Sequence, residues 1–166
     1  MNNESQFSDV FSRFNDAFSV ESKSHPRTKL PTFTEINATE DYLQNQFPES
    51  YCAFSMRFGE VWTPNVLNIV TNKFPNDDTI YALQKVEAIT ELVSTNNEYW
   101  AGGMPTNFIK FGFDVMGNAF VFERWSLELG RLVDLPVYVF DHDYNKVIQL
   151  VPSFIALLES YLDMLD

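Results

Sequence analysis

Three stretches of the chain hold residue types that can do chemistry. The first is Asp141-His142-Asp143, where an imidazole between two carboxylates matches common metal-ligand and acid/base sets. In an extended segment neighbouring side chains point to opposite faces, so Asp141 and Asp143 converge while His142 turns away. No Cys accompanies them, and His25 falls in a polar stretch far upstream. Two carboxylates and water would suit Mg²⁺ or Ca²⁺, which is the whole basis for reading a metal-dependent hydrolase. The second stretch is Asp114 to Asn118, with Gly117 inside it. An EF-hand-like loop needs acids at alternating positions and a closing Glu, and a phosphate cradle needs a glycine loop that opens a helix. Neither pattern is present, so Asp114 is expected to accept backbone N–H bonds within a turn. The third is "AGGMP", Ala101 to Pro105, whose backbone donors would fit an oxyanion hole but whose glycines serve more simply as a turn before a strand. There is no G-x-S-x-G elbow, and Cys52 sits in an amphipathic segment with no activating cue nearby, so it reads as a small core residue. These observations describe a binding protein with no catalytic residue, no metal and no cofactor rather than an enzyme.

Composition sharpens the kind of partner. The 166 residues carry 11 Lys and Arg against 23 Asp and Glu, a net charge of -12. Residues 1 to 29 are balanced at four acids and four bases, which leaves seven bases against nineteen acids in residues 30 to 166. An acidic body repels nucleic acid and attracts basic surfaces. The single Cys excludes an intrachain disulfide and a thiolate metal cage, as suits a reducing compartment. No run approaches the ~18 apolar residues of a membrane span, and "MNNESQFSDV" lacks the basic start and apolar stretch of a signal peptide, so the expected location is the cytoplasm, away from membranes.

The elements that must position a binding surface follow from periodicity. Phe7, Val10, Phe11, Phe14 and Phe18 form one stripe of a helix over roughly residues 5 to 20. A polar segment broken by Pro26 links it to the body, so residues 1–29 are read as helix and linker and 30–166 as the main domain. The stripe docks either on its own body or on a second copy as a homodimer. Thr39 reads as the N-cap of a helix ended by Pro48, and Glu49 opens another that Gly59 closes. Asn65 to Val70 reads as a strand, and Ile80, Leu83, Val86, Ile89 and Val93 step as a helix would, although "TIYALQ" alone fits a strand. Phe108 to Phe111 and "NAFVFERW" read as a β-hairpin, Leu135 to Phe140 as a buried strand, "VIQL" as a last strand, and Pro152 as the start of a C-terminal helix. Helices, a strand meander and a closing helix make an α+β domain.

Set out in this order, the body resembles the SUKH superfamily of yeast cell-wall-synthesis regulators and bacterial immunity proteins. The resemblance rests on Phe47-Pro48-Glu49-Ser50-Tyr51 through Phe54 for its "LP-x-x-Y-x-x-F", with Phe in place of Leu. It continues in Ile109, Phe111, Gly112, Asp114, Gly117, Asn118 and Phe120 for its strand, turn and strand. Pro136, Val137, Tyr138, Asp141 and His142 match its "P-V-Y-x-x-D-H", and Ser153, Phe154, Leu157 and Leu158 match its closing helix, so that residues of about 35 to 165 are covered. The "NGG" of the family is reduced here to Phe58-Gly59-Glu60.

The resemblance implies a mixed or mostly antiparallel sheet of about four to six strands flanked by helices. It also implies a protein that binds a cognate toxin, often a nuclease or deaminase, and blocks it. An acidic body facing a basic toxin would speed their encounter. Glu60, Asp77, Asp78, Asp141 and Asp143 are the acids expected to contact that partner. The alternative is a regulatory scaffold of the cell-wall-regulator type, and the third reading is the metal-dependent hydrolase described above.

Overall fold

The computed structural model describes residues 4–18, 20, 29–76 and 81–166. Over these the chain forms helices α1 (Glu4–Phe18), α2 (Phe33–Leu43), α3 (Glu49–Phe58), α4 (Pro64–Lys73), α5 (Leu92–Ala101) and α6 (Phe154–Asp163). The strands are β1 (Val61–Trp62), β2 (Leu83–Val86), β3 (Phe108–Asp114), β4 (Ala119–Glu123), β5 (Val137–Asp141) and β6 (Lys146–Val151). Each strand pairs antiparallel with the next in sequence, giving one six-stranded sheet in the order β1-β2-β3-β4-β5-β6. This is the α+β class read from the sequence, with the sheet wholly antiparallel.

Alternation divides the strands into two faces. The inner face carries Ile109, Phe111, Phe120, Phe122, Val137 and Val139, all fully buried in the main core. Phe111 stacks on Phe122 at 4.4 Å between ring centroids, and Tyr51 and Phe54 from α3 and Phe154 from α6 close over them. The phenylalanine stripe of α1 completes this layer. Phe7, Phe11, Phe14 and Phe18 are exposed by only 4%, 3%, 0% and 1%, and Phe54 receives Phe11 and Phe14 at 5.5 and 6.3 Å. The stripe therefore docks on its own body.

One carboxylate ties three segments of this layer together. Asp134 Oδ1 accepts from Ser50 Oγ at 2.8 Å and from the N–H groups of Leu135 and Phe154 at 2.8 and 2.9 Å. Its Oδ2 accepts from Ile155 N–H at 3.1 Å, so the first donors of α6 are satisfied from outside the helix.

The outer face of the sheet is smaller and partly covered. Ala119, Val121, Phe140 and Met104 form a second apolar cluster beneath Tyr99 and Trp100 of α5. Beside it Lys85 Nζ lies 4.8 Å from the centre of the Trp62 ring, and Lys110 Nζ lies 4.3 and 5.0 Å from the Tyr99 and Phe113 rings.

Four local expectations are corrected. Residues Asn65 to Val70 are helical: Pro64 stands at the first helical position, where its missing N–H costs nothing, and Val66 and Val70 are buried four residues apart. Six apolar-rich residues are too few to separate the two periods. The stretch Ile80 to Val93, which steps as a helix would with a strand as the alternative for "TIYALQ", begins outside the described residues and from Leu83 holds β2, a 3₁₀ turn at Ile89–Glu91 and then the start of α5. The register of β2 against β3 shifts between Leu83 and Lys85, so Leu83 and Val86, three apart, both face inward and imitate a helical step. Thr39 lies inside α2, where its hydroxyl donates to Glu35 O. The N-cap is Thr32, in a reciprocal capping box with Glu35, and Gln44 at φ 50° ends that helix before Pro48 is reached. Pro152 precedes α6, whose cap is Ser153, with Oγ accepting from Ala156 N–H.

Candidate partner-binding surface

The β3–β4 and β5–β6 turns lie side by side at one end of the sheet, because Ala119 pairs with Phe140 and Asp141 with Lys146. Asp114 organises the first. Its Oδ1 accepts from Met116 and Asn118 N–H, both at 2.9 Å, and its Oδ2 accepts from Asn118 Nδ2 at 3.0 Å. This is the turn-closing role expected of it. Gly117 takes φ +84°, while Asn118 does not adopt positive φ and contributes through its side chain. Replacing Asp114 with Ala leaves three buried or half-buried donors unpaired and is expected to lower stability by about 1–3 kcal/mol, read as a shift in urea midpoint.

Asp141 organises the second turn in the same way. Its Oδ2 accepts from Tyr81 Oη at 2.9 Å, and its Oδ1 from the N–H groups of Asp143 and Tyr144 at 3.1 and 3.2 Å. Burial pushes the Asp141 carboxyl up, but the Tyr81 hydroxyl and the N–H groups of Tyr144 and Asp143 outweigh it and hold the pKa below the usual Asp range. A folded pKa below the unfolded one means that this contribution is present above about pH 4 and is lost as pH falls through the folded value.

Asn118 links the turns, its Oδ1 lying 3.1 Å from His142 Nδ1, while His142 Nε2 lies 3.3 Å from Asp143 Oδ1. Beside them a cavity of about 350 Å³ is lined by Glu98, Tyr99, Gly102, Gly117, Phe140 and His142. Tyr99 Oη donates to Gly117 O at 2.9 Å and fixes the end of α5 against the turn. Cys52 offers no nucleophile: it is buried, Arg131 Nη1 lies 3.0 Å from its sulfur, and burial pushes its thiol up to about 12.

The charge balance of the surface follows from where the cations point. Lys85, Lys110 and Arg131 pair with Glu60, Glu87 and Glu40 at 3.0, 2.6 and 2.6 Å. Arg124 donates to the carbonyls of Thr106 and Leu43, and Lys73 to that of Met164. Arg57 and Lys146 lie over the Phe58 and Tyr144 rings. Each of the seven cations of residues 30–166 is thus engaged by the protein itself, while Glu91, Glu98, Glu123, Glu128, Asp143 and Asp163 stand exposed.

Of the acids read from the sequence as partner contacts, Asp141 is buried and serves the turn, and Glu60 is tied to Lys85 and accepts from Trp62 Nε1. Asp143 is open to solvent, its side chain 64% exposed. Asp77 and Asp78 lie outside the described residues, as does His25. Among the described residues no three His, Cys, Asp or Glu side chains converge on a point that could hold a metal ion. The sequence reading missed Glu98, Tyr99 and Phe140, which meet only because α5 crosses the outer sheet face. An acid in the last turn of a helix, where it is disfavoured, was the available signal.

No helix among the described residues is long and apolar enough to cross a membrane. No curated protein matches the chain closely enough to carry a function to it. A family profile, described as SMI1 / KNR4 family (SUKH-1), matches residues 30–160, which takes in every element from α2 to β6 and most of α6. With most of its length matched and the six-stranded meander in place, the chain belongs to the SMI1/KNR4 (SUKH-1) family.

Proposed function

We propose that this protein is an immunity protein that binds and neutralises a cognate toxin domain of basic character through its acidic surface. The observation that carries the reading is the uneven use of charge: Arg57, Lys85, Lys110, Arg124 and Arg131 are buried or half-buried and only Lys73 and Lys146 of the body cations stand exposed, whereas Glu91, Glu98, Glu123, Glu128, Asp143 and Asp163 are all at the surface. Such a surface raises the encounter rate with a basic partner and lowers it with nucleic acid, and it needs no catalytic group. Membership of the SMI1/KNR4 family supports a role of this kind. Asp143, exposed at the paired turns, is proposed as one contact, and Asp77 and Asp78 remain proposed contacts from the sequence.

Coexpression with the toxin encoded beside it should restore growth, and the purified pair should associate more slowly as salt rises. Reversing Asp143 to Lys should reduce the association rate several-fold and leave the dissociation rate nearly unchanged, as measured by stopped flow. Absence of growth rescue sinks the immunity reading. Capture of several host proteins, with no neutralisation, would favour the regulatory scaffold.

A further inference from the structure

The cavity beside the paired turns has features that select one kind of side chain. Its volume, about 350 Å³, is at the small end of the range for ligand sites of about 300–1,000 Å³. Glu98 lines it with an exposed carboxylate that forms no hydrogen bond or ion pair among the described residues. Gly102, the C-cap of α5, also lines it; no basic residue occupies the last turn of that helix, and the carbonyls of Glu98, Tyr99 and Trp100 each accept one backbone N–H, from Gly102, Met104 and Gly103 in turn, which leaves each a second lone pair. Tyr99 registers the environment: burial first, then the charges of Glu87, Asp114 and Glu98, raise its pKa above the ordinary value. Lys110 lies 4.3 Å from the Tyr99 ring but is held by Glu87 at 2.6 Å. The walls are aromatic. Tyr99 and Phe140 supply ring surface, and His142, both of whose nitrogens face Asn118 and Asp143, brings Cε1 close enough to meet any Cβ added at Gly117 at 3.4 Å.

A negative rim over aromatic walls fits a flat, weakly hydrated cation better than a compact, strongly hydrated one. We propose that the cavity receives an arginine side chain of a basic protein partner, its guanidinium against Glu98 and the carbonyl end of α5, its stem against Tyr99 and Phe140. The proposal deepens the reading above and rests on it for the nature of the partner.

The test uses the full chain labelled with ¹⁵N and N-acetyl-arginine amide as the probe, with the uncharged isostere N-acetyl-citrulline amide as its comparison. The arginine probe is expected to shift the amides of Tyr99, Gly102 and Gly117 saturably, and the citrulline probe to leave them in place. Glu98→Gln should weaken the arginine response about fivefold, the scale of a partly exposed ion pair, whereas Glu123→Gln should not change it. Equal responses to both probes, or an arginine response indifferent to Glu98→Gln, overturns the proposal. Because the probe is a small molecule, this outcome is independent of growth rescue by the whole protein.

Discussion

Truncating Phe54 to Ala is expected to destabilise the protein by about 3–5 kcal/mol, seen as a large fall in the urea midpoint. Phe54 is fully buried and packs against Phe11 and Phe14 of α1, Phe58 of its own helix and Phe154 of α6. Its loss opens a cavity at the point where three helices meet, and none can close it without leaving another contact. The consequence reaches α1, because Phe11 and Phe14 lose the ring that seats them. Amide exchange in α1 should accelerate in Phe54→Ala by more than the global loss of stability alone would produce. A variant in which α1 stays as protected as the rest of the core would show that its stripe is held by α6 and Phe58 instead.

The second large effect concerns charge inside the sheet. Lys110 and Glu87 have side chains exposed by only 2% and 5%, and their charged ends lie 2.6 Å apart. Asn96 braces the site, donating from Nδ2 to Lys110 O and accepting Lys110 N–H at Oδ1. Glu87→Ala leaves a buried ammonium without its counter-ion and is expected to cost about 3–5 kcal/mol, while replacing both partners together, Glu87→Leu with Lys110→Met, should recover most of it. Burial draws the Lys110 pKa below the ordinary lysine value, and Glu87 pulls against that shift. The folded state therefore binds this proton less tightly than the unfolded state, so its contribution to stability rises as pH climbs from the folded value towards the unfolded one. Urea midpoints measured across the alkaline range should show that rise in the wild type and lose it in the double variant.

Much of the architecture was legible because it rests on local signals. The stripe Phe7 to Phe18, the Gly117 turn, the strand after Pro136 and the glycine stop at Gly59, which adopts φ 65°, each carry their own conformational reason. The errors fall where two periods coincide or where one residue shift changes the count. Leu83 and Val86 mimic a helical step through a bulge, and Thr39, inside a helix, resembled a cap while the Thr32 and Glu35 box lay seven residues earlier. The proposed binding surface was less legible for a different reason. Acidic residues look alike in sequence, but Glu40, Glu60 and Glu87 are matched to Arg131, Lys85 and Lys110 across tens of residues. Which acids remain for a partner is fixed by those pairings, and pairings between distant residues belong to the tertiary structure.

A meander in which every strand lies beside its sequence neighbour sends successive reversals to alternate ends of the sheet. The turns at 114–118 and 141–146 share one end, each held by an aspartate at its first position that bonds within its own turn. Residues at the tips, such as Val115, Met116 and Tyr144, are exposed by 49%, 65% and 77% and can change identity without altering a ladder pair. The fold thus divides its residues into a frame that fixes where the tips stand and a short, replaceable text written on them. Under the proposed function, recognition can be rewritten for a new partner at that rim while the frame stays as it is.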